Sequence, residues 1–188
     1  MRYFFAKKAA IFSNKRYYIS IDKTYPRKER LMKLKNGIEQ TICILIMLET
    51  QDKAKPLKSY TISERLGISD SYLKKVMRQL VVAGLVTSEA GKDGGFILAK
   101  KAEDFTMLDI YEAIEGKESF IHSTNLAAKV FLYEDIIEAK ESEILNVFFE
   151  AEELFKIRLG QYKFSQLLMN TEQINKGVDW KEIPLKGK

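Results

Sequence analysis

Residues 57–100 read LKSYTISERLGISDSYLKKVMRQLVVAGLVTSEAGKDGGFILAK, and the rest of the chain is organised around them. Ile62 and Leu66 share one side of a short predicted helix that stops at Gly67, a residue that enters the left-handed region cheaply. Ile68 follows as an apolar plug. Ser69 or Asp70 then offers a side-chain oxygen to the unpaired amides of a second helix. In that helix Leu73, Val76, Met77 and Leu80 recur at helical spacing and form one apolar stripe. Ser71, Tyr72, Lys74, Lys75, Arg78 and Gln79 occupy the other face, which is rich in cations and hydrogen-bond donors. Gly84 closes the helix, and residues 85–88 and 96–99 flank a glycine-rich tip, Gly91-Lys92-Asp93-Gly94-Gly95, as a hairpin.

Two short helices, a tight turn and a hairpin make a winged helix-turn-helix pattern. Such modules usually hold DNA, although some serve as protein-interaction adaptors. Charge favours the first reading. The net charge of +5 is segregated along the chain. Residues 55–101 carry nine Lys and Arg against four acids, whereas residues 102–188 carry ten against seventeen. A cationic surplus on the module that carries the recognition pattern is the electrostatic footprint of phosphate binding.

Outward from the module, residues 36–50 predict an apolar helix through Ile38, Ile42, Leu45, Ile46 and Leu48, with Cys43 and Ile44 broadening its stripe. Cys43 is a candidate redox thiol. Its apolar surroundings favour a small core residue instead, because nothing adjacent would lower its pKa. Thr106 and Asp109 predict a capping box ahead of a helix ending at Gly116. Residues 117–140 read as a linker and candidate effector region, with helix expected over 126–137. From Glu141 to about Tyr162, Ile144, Phe148, Ala151, Phe155 and Leu159 recur every three to four residues. A helix this apolar must bury its face, and a second copy of itself is the economical partner. Residues 141–168 are therefore read as a dimerisation helix and its end, and 169–188 as a partly ordered tail. The first 31 residues carry nine Lys and Arg against two acids and little periodicity. They read as a basic extension, either a poorly ordered tail or the product of an upstream start codon.

The order of these motifs resembles the Rrf-two family of bacterial transcription regulators over residues 32 to about 168. The matching pieces include Met32-Lys33-Leu34, Ile62-Ser63-Glu64-Arg65-Leu66-Gly67-Ile68-Ser69, Ser71-Tyr72-Leu73, Gly84-Leu85-Val86, Gly94-Gly95-Phe96-Ile97-Leu98-Ala99 and residues 109–116, DIYEAIEG. The resemblance implies a mainly α fold, a winged domain at 32–116 with a small β-hairpin wing, and a homodimer joined through long C-terminal helices. It also implies a regulator, expected to repress, that reads double-stranded DNA at a palindromic operator. Ser69, Ser71, Tyr72, Lys74, Lys75 and Arg78 become candidate base or phosphate contacts, and Lys92 a phosphate contact at the wing tip. Where the family often carries a wing arginine, this chain has Ala90. Cluster-binding members also keep three cysteines after the position of Gly116, and here that stretch has only His122 as a soft ligand. One imidazole cannot hold an iron–sulfur cluster, so no metal or cofactor is expected. A small-molecule or protein effector, or Cys43 oxidation, is expected as the input instead.

Other functional classes find little support in the residues. One His, one Cys and no glycine-rich loop following a strand leave no convergent catalytic set, so an enzyme is not expected. No apolar run is long enough to span a bilayer, and the single cysteine excludes an intrachain disulfide; both point to the cytoplasm. The competing reading is a winged-helix adaptor that meets an acidic protein partner.

Overall fold

The computed structural model describes residues 36–52, 55–122, 126, 129–130, 134–168 and 177–185. The basic extension at 1–31 lies outside the described residues. Element order is α1 (Asn36–Thr50), α2 (Ser59–Leu66), α3 (Asp70–Val82), β1 (Val86–Glu89), β2 (Gly95–Leu98), α4 (Met107–Glu115), α5 (Glu134–Gly160) and α6 (Phe164–Leu168). Helices α1, α2, α3 and α4 enclose a core of Ile44, Leu45, Leu48, Ile62, Leu73, Val76, Met77, Leu80, Leu85, Phe105 and Ile110. The expected apolar stripe of α3 is buried along its whole length.

Both ends of α3 are fixed by local chemistry. Ser69 is the cap, its Oγ accepting from the Tyr72 amide at 3.3 Å. At the other end the Gly84 amide donates to the Val81 carbonyl and the Leu85 amide to the Leu80 carbonyl, both at 3.0 Å. This pair of bonds is a Schellman closure and requires a left-handed residue. Gly84 supplies it with φ 67°. Because Leu85 is used in that closure and is buried, β1 begins one residue later than its apolar character suggests, and its partner β2 correspondingly starts one residue earlier than expected, at Gly95. The hairpin pairs Val86 with Leu98 and Glu89 with Gly95. Leu57 pairs with Phe96 on the outer side of β2. A Cβ at Gly95 would lie 2.6 Å from the Leu57 carbonyl oxygen, so only glycine permits that approach.

Helix α4 starts with the expected capping box between Thr106 and Asp109. The segment before it is stitched to the end of α5. Met107 donates to the Tyr162 carbonyl at 2.9 Å, Phe164 donates to the Phe105 carbonyl at 3.1 Å, and the two phenyl rings stack at 4.9 Å. The long helix therefore leaves the winged domain from a buried seam. It starts at Glu134 rather than Glu141, because residues 134–140, EDIIEAK, consist mostly of good helix formers. Of the helix expected over 126–137, residues 134–137 form the first turn of α5 and Leu126 and Val130 fall outside it, while 127–128 and 131–133 lie outside the described residues.

Of the partly ordered tail expected at 169–188, residues 177–185 are described. Residues 177–185 pack on α1 and α2, and Trp180 joins the edge of the core. Ile68, read as a plug, is only half-buried. Leu80 is fully buried at the centre of the core. Leu80→Ala is expected to cost about 2–5 kcal/mol of folding stability, measured by denaturant unfolding.

Candidate nucleic-acid interface

With its apolar stripe buried, α3 turns Ser71, Lys74, Lys75 and Arg78 outward. Their spacing places them along one face of the helix. Among the described residues no acidic side chain is paired with Lys74 or Lys75. Ser69 is exposed at the helix start and lies 3.2 Å from Ser71, oxygen to oxygen. Tyr72 differs from the other candidates. It is half-buried against the core, and a Cβ at Gly37 would lie 3.1 Å from its hydroxyl. Its hydroxyl end thus lies against α1 at Gly37 and helps seat α3 there. Arg78 lies at the opposite end, in a groove of about 450 Å³ shared with Asp109, Glu112 and Lys117. Asp109 and Glu112 of α4 thus lie near it, with Glu112 paired to Lys117.

The wing carries Lys92 at an exposed tip. Lys58, which the motif alone does not single out, donates from its Nζ to the Lys92 carbonyl at 3.0 Å. Two lysines from separate segments therefore meet at the tip. Sequence separation hid this pair, since only the Leu57–Phe96 bridge brings residue 58 to the hairpin. Ala90 is exposed beside it and offers no charge.

The stripe on α5 is divided by its surroundings. Ile144 and Phe148 are 57% and 56% exposed, Ala151 is exposed, and Val147 and Leu154 extend the same apolar strip. Phe155 and Leu159 are half-buried instead. The Phe155 ring meets Tyr111 edge-on at 5.1 Å and Phe120 at 6.3 Å, so it is used within the chain. Beneath the loop after α4, Glu152 is buried and accepts from Ser119 Oγ at 2.5 Å, with Lys156 Nζ at 2.7 Å. Hydrogen bonds from Lys156 and then Ser119 hold the Glu152 carboxyl below the usual carboxylate range, although burial opposes them. Apolar periodicity cannot reveal such a carboxylate, because Glu152 reads in sequence as part of an exposed acidic face.

Cys43 is half-buried in α1, and burial, helped by the Glu39 carboxylate, pushes its thiol up. A raised pKa suppresses the reactive thiolate, which favours the packing role over a redox one.

The family described as Rrf2, iron-dependent transcriptional regulator, matches residues 34–170. The chain belongs to this family. It is 33% identical over 141 residues to the helix-turn-helix-type regulator YffB of Lactococcus lactis, covering 75% of this chain and 90% of that one. It is 45% identical over 100 residues to YwgB of Bacillus subtilis, a regulator of the same type, covering 53% of this chain and 64% of the relative. The matched stretch thus spans just under two thirds of YwgB. Among solved structures, a transcriptional regulator from Listeria innocua superposes with TM-score 0.56 at 23% identity, over 77% of this chain and 92% of that one. The cysteine regulator CymR of B. subtilis gives 0.52 at 22% identity, over 76% and 100%. These superpositions establish the winged-helix architecture. The relatives named are regulators of transcription rather than enzymes.

An iron site needs a converging set of thiolate, imidazole or carboxylate donors. The Rrf2 chain described here has one cysteine, in α1, and one histidine, exposed after α4. Among the described residues no three His, Cys, Asp or Glu side chains are grouped to hold a metal. Those residues do not fit an iron–sulfur cluster, which needs several thiolate or imidazole ligands. The loop after α4 is instead fastened by Ser119, Glu152 and Lys156. A carboxyl held below its ordinary value stabilises the fold above the unfolded-state pKa, and that contribution disappears as pH falls through the folded value. Thermal melts of the native chain should therefore lose stability below about pH 4.3, the ordinary Glu value. Glu152→Gln should show a shallower acid dependence across the same range.

Proposed function

We propose that this Rrf2 regulator is a sequence-specific DNA-binding homodimer that represses at a palindromic operator and senses its signal without an iron–sulfur cluster. The observation carrying this reading is the outward face of α3, where Lys74 and Lys75 stand exposed beside Ser71, with no acidic partner among the described residues. A helix of this kind, locked by its buried stripe, suits the major groove, where donors meet base edges and cations meet phosphates. Lys92 and Lys58 at the wing tip would hold the flanking backbone as point charges. With Ala90 beside them, base reading by the wing contributes little.

Dimerisation is supported by the apolar strip of α5. Ile144, Val147 and Phe148 are each more than half exposed, on a helix whose opposite end is stitched into the winged domain. A two-fold axis along this strip would bury it and place two copies of α3 on one side. Half-sites would then fall about one helical turn, or a multiple of it, apart. Repression is the simplest mode for such a dimer, since occupancy of a promoter alone excludes other proteins. The input would arrive as a small molecule or a protein partner near the loop after α4.

The test is selection of duplexes from a random pool, followed by titration at several salt concentrations. Lys74→Ala with Lys75→Ala should weaken binding and make the slope of log affinity on log salt shallower by about 1 for each lost phosphate contact. Binding and slope that match the unaltered chain would refute the assignment of α3. A chain that selects no duplex at low salt, yet binds an acidic protein, would favour the adaptor reading. In a separate test, Phe148→Asp should give monomers by sedimentation, because a carboxylate cannot be buried there without a partner. A variant that stays dimeric would exclude the α5 strip as the interface.

A further inference from the structure

Residues 177–185 lie beyond the stretch that matches the family, yet they make polar contacts with both α1 and α2. Their contacts solve a problem left by α1. Its last turn contains no basic residue and is followed by Gln51 and Asp52, so its final carbonyls lack an obvious cap. The later segment supplies the donors. The Val178 amide donates to the Thr50 carbonyl at 2.8 Å, and Trp180 Nε1 donates to the Met47 carbonyl at 3.0 Å and to Thr50 Oγ1 at 3.1 Å. In return the Asp52 amide donates to the Val178 carbonyl at 3.0 Å, while Lys55 pairs with Asp179 at 3.3 Å.

The same segment is pinned to α2 by one side chain. Arg65 donates to the carbonyls of Trp180, Ile183 and Pro184, and its guanidinium stacks 5.1 Å from the centre of the Trp180 ring. One planar cation is thereby committed to three backbone oxygens and an aromatic face, an arrangement lysine cannot reproduce.

We propose that residues 177–185 are a clamp that joins the end of α1 to α2 and so holds the helix-turn-helix in its DNA-binding geometry. Helix α2 is short and packs on α3, and its other support is α1. Undocking the clamp leaves the Thr50 carbonyl without the Val178 amide and Arg65 without its three backbone acceptors, and it removes the bridge that reinforces the direct packing of α2 on α1. The clamp acts without touching DNA, and the DNA arm of its test rests on the function proposed above.

Hydrogen exchange of the full-length chain tests the clamp independently of DNA. In Trp180→Ala, peptides covering the end of α1 and all of α2 should exchange at least about tenfold faster, while those covering α4 and α6 keep their protection. Operator affinity should fall about fivefold to tenfold as the binding-competent fraction falls, with an unchanged salt slope. Arg65→Lys is the milder variant, which keeps the charge. Trp180 is the single tryptophan, so its emission reports docking directly, and it should shift to the red in Arg65→Lys. Unchanged exchange in Trp180→Ala, or unchanged emission in Arg65→Lys, would overturn the clamp. Faster exchange with equal or higher affinity would overturn its role in DNA binding and identify the segment as inhibitory. Failure of the native chain to bind any duplex would sink the DNA reading alone, since exchange would still judge the clamp.

Discussion

Burial of one stripe on α3 is the constraint from which the remaining geometry follows. Leu73, Val76, Met77 and Leu80 are each at most 2% exposed, and withdrawing such side chains from water contributes roughly 1.5–3 kcal/mol apiece. Rotating the helix to bury Lys74 or Lys75 instead would surrender that gain and leave ammonium groups without water. The Ser69 cap and the Gly84 closure prevent the helix from sliding along its axis. The outward face is thus set by the inward one, before any ligand is present.

A second constraint carries that orientation to the far end of the chain. Phe105 and Phe164 stack within the core, while backbone bonds tie the approach to α4 to the turn after α5. Phe155 on Tyr111 extends the contact along α4. The base of α5 is consequently tied to the winged domain on one side, while uncovered apolar side chains continue along the helix from Ile144 to Leu154 and Ile157. This explains why one regular sequence stripe divides into two uses. Phe155 and Leu159 pack within the chain, whereas Ile144 and Phe148 await a partner in the proposed dimer.

Periodicity made the first half of the fold legible. The bounds of α1, the stripe of α3, the capping box at Thr106 and the two-stranded wing all follow from local rules, because each depends on residues within a few positions of one another. What escaped depends on pairs distant in sequence. Lys58 joins the wing tip only through a bridge to Phe96. Glu152 becomes a buried acceptor only when residue 119 folds over it. Residues 177–185 read as a tail because they have no periodicity of their own, their order coming from contacts with the end of α1 and with Arg65. The start of α5 at Glu134 was obscured by charge, which hides an amphipathic pattern without weakening helix propensity.

These constraints limit where a regulatory input can act. Helix α3 is packed along its full length and capped at both ends, so a signal of a few kcal/mol cannot turn it without disrupting the core. Two softer places remain. One is the loop after α4, where the Ser119–Glu152–Lys156 cluster joins the winged domain to α5 through a few polar contacts. The other is the seam between α1 and α2, closed by a segment from outside the matched region. An input at the loop would change the separation of two winged domains in a dimer, and hence which half-site spacing fits. An input at the seam would change the competence of each domain separately, leaving the preferred spacing intact. Half-site spacing and single-domain affinity are therefore the two observables that tell these routes apart.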